Sequence, residues 1–380
     1  MSEIRESKLK QAIIVHHDEA DGLTSAALTK LALESLGLDT RLVCLDKLYP
    51  EVVTHIESEE RKVIACSDIG SGHIDWLSTN NRSRNIIVVL DHHDTVESTD
   101  PSIMNLNPEL DGFSGEKEAS SSTVAYLFAR TVDDGLRRFG HLGLVGMMEI
   151  PGEAQGLNQL IVKDAEHESL VRRSGRDFMI EAEGMRMARA RAATLLNVLG
   201  SVGYYRKGPE KAVNACTNGF ETELVRFANE LEEERKVANR KMLNEIRTKG
   251  LVQLKTVQWF HARDNYAGMS GKVVGSFCSY LRFQSLVNPM KYLVGMMNIP
   301  AEIPGWGKLP APLVKVSGRA PNPLAGWIEK GKRPALSKIL PEACSRAGGF
   351  GDGHSVAASG VFPLGGEEMV LREMDALAAA

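Results

Sequence analysis

Along the first hundred residues, apolar positions come in short unbroken runs separated by amphipathic stretches. Residues 11–17 (QAIIVHH), 39–46 (DTRLVCLD), 62–68 (KVIACSD) and 85–91 (NIIVVLD) each contain a short run of consecutive apolar residues, five of them in the last. Runs of this kind predict buried strands of a parallel sheet covered on both faces. Between them, residues 22–37 (GLTSAALTKLALESLG) predict a helix closed by Gly37, and 49–58 (YPEVVTHIES) a second helix. Alternation of this kind predicts an α/β domain whose ligands gather at the carboxyl ends of the strands.

Further on the pattern changes. Residues 121–136 (SSTVAYLFARTVDDGL), the apolar 141–150 (HLGLVGMMEI) and 183–200 (EGMRMARARAATLLNVLG) follow, the first and last read as helices. Residues 220–250 have apolar positions at three-to-four spacing and abundant charge, which predicts one long, mostly solvated helix ending at Gly250. From Leu251 short β-like runs appear (251–260, 292–299, 312–318), with most of the prolines and a Gly-rich tail segment. The expected organisation is therefore an α/β parallel-sheet domain over 1–199, a helical connector over 200–249 and a smaller α/β domain over 250–380.

Composition narrows the function. A chain of 380 residues with 43% hydrophobic and 25% charged residues is an ordinary globular one. No run approaches the roughly 20 apolar residues that span a bilayer, and the charged start has no leader-like apolar core. Cys44, Cys66, Cys216, Cys278 and Cys344 form no CxxC pair, which suits reduced thiols and a cytoplasmic location. The net charge of −4 argues against bulk binding of polyanions, yet residues 251–340 carry 12 Lys/Arg against 3 Asp/Glu. A basic back domain behind an acidic front one is expected to face an anion.

Three of the strands end in metal-ligand chemistry. The first runs into His16, His17, Asp18, Glu19, Asp21 and Gly22, the third into Asp68, and the fourth into Asp91, His92, His93 and Asp94. Any one of these has an ordinary explanation: a surface histidine, or an aspartate capping the next helix. Three strand ends carrying them together point to a mixed nitrogen/oxygen site for Mn²⁺ or another octahedral divalent ion. So many carboxylates favour two ions, the clamp used for in-line phosphoryl displacement.

HDEADG (17–22), SDIG (67–70) and DHHDT (91–95), in this order, resemble the motifs of the DHH phosphoesterase superfamily. AGGFGDGHSVAASG (347–360) resembles the GGGH-x-x-AAG signature of the DHH-associated C-terminal domain, and KVSGRAP (315–321) its basic strand. The length, the long helix and residues 201–213 (SVGYYRKGPEKAV) are most similar to archaeal RecJ-like nucleases. The resemblance implies two Mn²⁺ ions, or Mg²⁺, and a water activated between them. It places His17, Glu19 and Asp68 on one ion, and Asp21, His92 and the bridging Asp68 on the other. It sets His93 against the phosphate and makes Asp91 the orienting partner of a ligating imidazole.

Two positions depart from the family pattern. Glu19 stands where the family has Asp, with Asp18 as an alternative ligand; and LVGMMEIPGE supplies Glu149 where the family has an Asp. An ordinary acid at a helix end explains Glu149 equally well. In the second domain the resemblance implies that Arg319, Ser317, Gly353 and His354 hold phosphate. The expected function is a RecJ-like exonuclease hydrolysing single-stranded DNA or RNA, with no membrane role and a replication or repair protein as its partner. Two rivals stay open. One is a hydrolase of very short oligonucleotides (a nanoRNase), cyclic dinucleotides or bisphosphate nucleotides; the other is an inactive replication or repair scaffold.

Overall fold

A computed structural model describes residues 2–182 and 184–379. The chain forms two compact units, Met1–Asn229 with Pro304–Trp306, and Glu230–Ile303 with Gly307–Ala380. In chain order the first holds α1 (Ser2–Glu6), β1 (Gln11–His16), α2 (Ala20–Ser35), β2 (Asp39–Cys44), α3 (Pro50–Ser58), β3 (Val63–Ser67), α4 (Ile74–Asn81), β4 (Ile86–Leu90) and β5 (Ile103–Leu106). It continues with α5 (Ser121–Val132), α6 (Gly140–Gly146), α7 (Gly156–His167), β6 (Val171–Ser174), β7 (Asp177–Ala182), β8 (Met185–Ala188), α8 (Arg189–Asn197) and α9 (Gly208–Asn218). The long helix α10 (Thr222–Lys249) follows, and the division between the units falls inside it rather than on either side of a separate connector.

Strands β1 to β5 make a wholly parallel sheet in the order β2-β1-β3-β4-β5. The apolar runs have the burial their composition requires: Val63–Cys66 and Ile87–Leu90 are all at most 1% exposed. Strand order turns at β1, with β2 on one side and β3 on the other, and in sheets wound this way such a turn opens a crevice beyond the carboxyl ends. The short β5 adds a strand that the apolar runs did not reveal. The α/β class with a parallel sheet in the N-terminal region holds.

The helix expected over 183–200 opens with a four-residue strand. Met185–Ala188 pairs antiparallel with β7 (Ile180 opposite Met187, Glu181 opposite Arg186), and helix begins only at Arg189. MRMA alternates apolar and basic residues, and Met185 is buried where Arg186 is exposed, the two-residue period of a strand. Glu183, the first residue of that expected helix, lies outside the described residues.

The second unit continues with β9 (Val252–Gln253), β10 (Val257–His261), α11 (Lys272–Leu281), β11 (Tyr292–Ile299), β12 (Glu302–Ile303), β13 (Gly307–Lys308) and β14 (Leu313–Arg319). It ends with α12 (Asn322–Glu329), α13 (Leu336–Arg346), β15 (Phe350–His354), β16 (Ala357–Pro363) and α14 (Glu367–Ala379). Its sheet has the order β15-β16-β14-β11-β10-β9, over a core that includes Val294, Val316, Phe362, Leu336 and Leu340. The Gly-rich segment forms the hairpin of β15 and β16. Gly353 is indispensable to it: its φ is +147°, and a Cβ there would lie 2.4 Å from Ala358 Cα. All five cysteines are buried and none is in a disulfide, and no described helix is long and apolar enough to cross a membrane.

Candidate metal centre

The parallel ladder runs one residue past the strands and lines up their ends. The amide of His17 donates to Ser67 O (3.3 Å) and that of Asp68 to Leu90 O (2.9 Å), so β1, β3 and β4 deliver His17, Asp68 and Asp91–His93 to one place. Asp68 does so with φ at +63°, a left-handed conformation that is uncommon outside glycine and costs free energy.

Asp68 is the hub. Its Oδ2 lies 3.5 Å from His17 Nδ1, and its Oδ1 lies 3.6 Å from His92 Nε2 and 4.0 Å from His93 Nδ1. Burial opposes ionisation of Asp68, but the neighbouring histidines, His17 foremost, outweigh it and hold the carboxyl below the usual range. Two sets of donor atoms close enough to share an ion, Asp68–His92–His93 and Asp21–Asp68–Glu149, have Asp68 in common. Glu149 stands in the 3₁₀ turn that follows α6.

The supporting groups are as telling. His92 Nδ1 bonds to Gly115 O at 2.7 Å, so Nδ1 carries the proton and the Nε2 lone pair points towards Asp68 and Asp21. Asp21, fully buried, accepts the amides of Ser121 and Ser122, both at 2.8 Å, at the N-terminus of α5, where positive partial charge favours an anion. Burial, and next the Asp68 carboxylate, push Asp21 up from the ordinary range. Asp91 is saturated by the Ser71 amide, the His92 amide and His93 Nδ1 at 3.0, 2.8 and 2.7 Å. It is an orienting group, and the imidazole it holds is His93, not His92. Burial lowers His93, but Asp91 and then Asp68 overcome this and raise it to about 10.

The donor set fits divalent cations. Both Asp68 oxygens and His92 Nε2 are buried without a hydrogen bond, an arrangement that costs free energy unless something binds them. Spacings of 3.5–3.8 Å between histidine nitrogens and carboxylate oxygens are too long for hydrogen bonds and suit atoms that share an ion.

His17 separates the two candidates at the first motif. Its Nδ1 edge faces Glu19 Oε2 (3.9 Å) as well as Asp68, whereas Asp18 Oδ1 lies 3.5 Å from the opposite edge, at Nε2. Glu19→Gln is therefore expected to raise the Mn²⁺ concentration needed for half-maximal activity by about tenfold or more, one ligand's worth, with little effect from Asp18→Asn. The reverse order in Mn²⁺ titrations would move the ligand role to Asp18.

The second unit brings its four expected phosphate-binding residues onto two neighbouring rungs of the sheet and one beyond. Arg319 lies opposite Ala357, which lies opposite His354; Gly318, Ala358 and Gly353 form the next rung, and Ser317 the one after. Arg319 Nε donates to Ser279 Oγ at 2.9 Å, and Ser317, only 2% exposed, sits against Gly275 of α11 rather than in solvent. The strand motifs had not pointed to the Gly115 carbonyl or the Ser71, Ser121 and Ser122 amides. The serine run 120–122 ahead of a helix was the only hint, and it reads as a cap: Ser120 Oγ does accept from Thr123 N.

Residues 11–145 match the DHH family, N-terminal domain. A 166-residue stretch is 30% identical to an uncharacterized protein of Methanocaldococcus jannaschii, covering 40% of this chain and 36% of that protein. A 148-residue stretch is 28% identical to the single-stranded-DNA-specific exonuclease RecJ of Dickeya dadantii, covering 37% of this chain and 26% of that one. In fold, 99% of the chain aligns with 53% of RecJ from Thermus thermophilus, crystallised with Mn²⁺, at a TM-score of 0.65 and 16% identity. The matches thus span about a third and a quarter of the two curated relatives and about half of the Thermus protein. The stretch that matches the DHH family carries all three strand-end motifs.

Proposed function

We propose that this protein is a two-metal phosphodiesterase that hydrolyses single-stranded nucleic acid from an end, as a cytoplasmic RecJ-like nuclease working with replication or repair proteins. The observation that carries this is Asp68, a buried carboxylate with no hydrogen bond, common to both sets of donor atoms. His17, Glu19 and Asp68 would hold one Mn²⁺ or Mg²⁺ ion, and Asp21, His92, Glu149 and Asp68 the other. Bound there, such a pair acidifies water and neutralises charge at a phosphate under in-line attack. His93, kept protonated by Asp91 and exposed on one side, donates to a phosphate oxygen. The name of the Dickeya relative, a single-stranded-DNA-specific exonuclease, supports a nucleic-acid substrate.

The net charge of −4 favours a short footprint, because affinity for long polyanions rises with the number of phosphates neutralised. That keeps a second reading alive: hydrolysis of dinucleotides, cyclic dinucleotides or bisphosphate nucleotides. Digestion of end-labelled DNA and RNA strands of graded length with Mn²⁺ distinguishes them. Rates that stay flat or fall with length would remove the exonuclease reading, and no Mn²⁺-stimulated cleavage of any phosphodiester would leave a scaffold.

Arg319→Ala and His354→Ala test the basic sheet. Contacts remote from the reacting phosphate position it, so their loss should be felt only by substrates long enough to make them. Both variants are expected to keep Mn²⁺ binding and hydrolysis of a small chromogenic phosphodiester. Both should lose at least about tenfold on an oligonucleotide, one charge-assisted hydrogen bond's worth. Equal losses on both substrates would place these residues in the reacting centre.

A further inference from the structure

A cavity of about 130 Å³ lies beside the carboxylate cluster, bounded by the turn that carries Glu149, the loop after it and the start of α8. Met147 and Met148 give it apolar walls, Asn158 and Arg189 polar ones, and Ala154 and Glu153 border it from the loop. None of the ligand or phosphate roles uses these residues. A cavity of roughly 150 Å³ accommodates one six-membered ring, so this one takes a single ring and is too small for a whole nucleotide.

Its inner polar wall offers donors. Asn158 is 1% exposed, and its Oδ1 is committed, accepting from the Ser120 amide (3.1 Å) and Thr123 Oγ1 (2.6 Å). Those two donors fix the orientation of the amide, and among the described residues Asn158 Nδ2 donates to nothing. Arg189 is held by Nε to Asp177 Oδ1 (2.8 Å), with its guanidinium 5.2 Å from the centre of the Phe178 ring. That anchorage leaves its Nη hydrogens available. Methionine thioethers pack well against flat, polarisable rings.

Resting on the reading of the centre as a nucleic-acid phosphodiesterase, we propose that this cavity seats the pyrimidine base of the nucleotide whose phosphate reacts. Thymine and uracil present two ring carbonyls, one for Asn158 Nδ2 and one for Arg189, and their single ring fits between Met147 and Met148. Adenine has no carbonyl and one ring too many. Glu149 is chain-adjacent to Met148 and shares the cluster of Asp21 and Asp68, so a base seated here has its own phosphate at the metal centre.

The probe is 5-iodo-2′-deoxyuridine monophosphate, photocrosslinked in the presence of Mn²⁺ and mapped by mass spectrometry; it has no phosphodiester to turn over. Adducts are expected at Met147 or Met148, with protection by dTMP but not by dAMP. Ala154→Leu fills the cavity from a partly exposed loop position, and Asn158→Asp keeps the Oδ1 acceptor while removing the donor. Each should cut adduct yield at least about tenfold and bring the kcat/KM ratio of oligo-dT over oligo-dA, above about ten in the parent, towards one. Adducts only elsewhere, equal protection by dAMP, or a ratio that neither variant moves would overturn the proposal. Absence of all oligonucleotide hydrolysis in the parent would sink the nuclease reading instead, and the crosslink map would still decide the cavity.

Discussion

Asp68→Ala is expected to abolish Mn²⁺-dependent hydrolysis, by at least about a thousandfold or ~4 kcal/mol of transition-state stabilisation, while the fold survives. Asp68 is the residue shared by both donor sets, so its removal takes an oxygen from each ion and leaves two cations unscreened at close range. The folded state loses the attraction of the neighbouring histidines but no hydrogen bond, because neither Asp68 oxygen makes one in it. It also gains something, since the Asp68 carboxylate is one of the two main influences that push buried Asp21 up. Asp68→Asn is the companion variant: asparagine tolerates the left-handed φ of +63° better than alanine, so any backbone cost of Asp68→Ala shows as a difference between the two. Calorimetry with Mn²⁺ checks the claim. Two ions still bound in either variant would defeat the bridging assignment, whatever happens to the rate.

Unfolding of the parent chain is expected to depend on pH through Glu57, away from the metal centre. Glu57 is 1% exposed, and neither carboxylate oxygen has a hydrogen bond. It borders a cramped cavity of about 10 Å³ among Val15, Leu45, Val53, Ile64 and Leu77, apolar and with room for at most about one water, too few to hydrate a charge. Burial pushes its pKa up to about 8, only partly countered by Arg84. The sign follows from a folded value raised above the unfolded 4.5. Below pH 4.5 both states hold the proton and the stability is fully present. Between 4.5 and 8 the unfolded chain gives up its proton while the folded one keeps it, so stability falls by about 1.4 kcal/mol per pH unit. Above 8 the loss is complete, a few kcal/mol in all. Glu57→Gln removes the titration, so the variant should match the parent near pH 4.5 and exceed it at pH 8. Urea unfolding of both at several pH values reads the difference directly, and a parent-minus-variant difference that does not change with pH would refute it.

The legible part of this protein was whatever covalent neighbourhood alone imposes. Four apolar runs ending in His, Asp and Glu could be read as buried strands with a polar edge, because a short unbroken apolar run has few other stable uses and a strand must stop where charge begins. The candidate ligands of β1, β3 and β4 could be named for the same reason, each lying within a few residues of its own strand. MRMA was misassigned, since a two-residue period over four residues is drowned by the helical pattern after it and only pairing with β7 reveals it. The Gly-rich segment became a hairpin because β14 offers β16 an edge to pair with, a partner nearly forty residues away in the chain.

Tertiary structure alone decided which groups meet. Asp21 finds the Ser121 and Ser122 amides a hundred residues later, and His92 finds the Gly115 carbonyl across a loop. Glu149, as readily an ordinary helix-end acid, joins Asp21 and Asp68 because α6 delivers its turn to the sheet's carboxyl edge. The cavity between that turn and α8 belongs to no motif at all, because an empty space is a property of packing between segments and leaves no periodicity in any one of them.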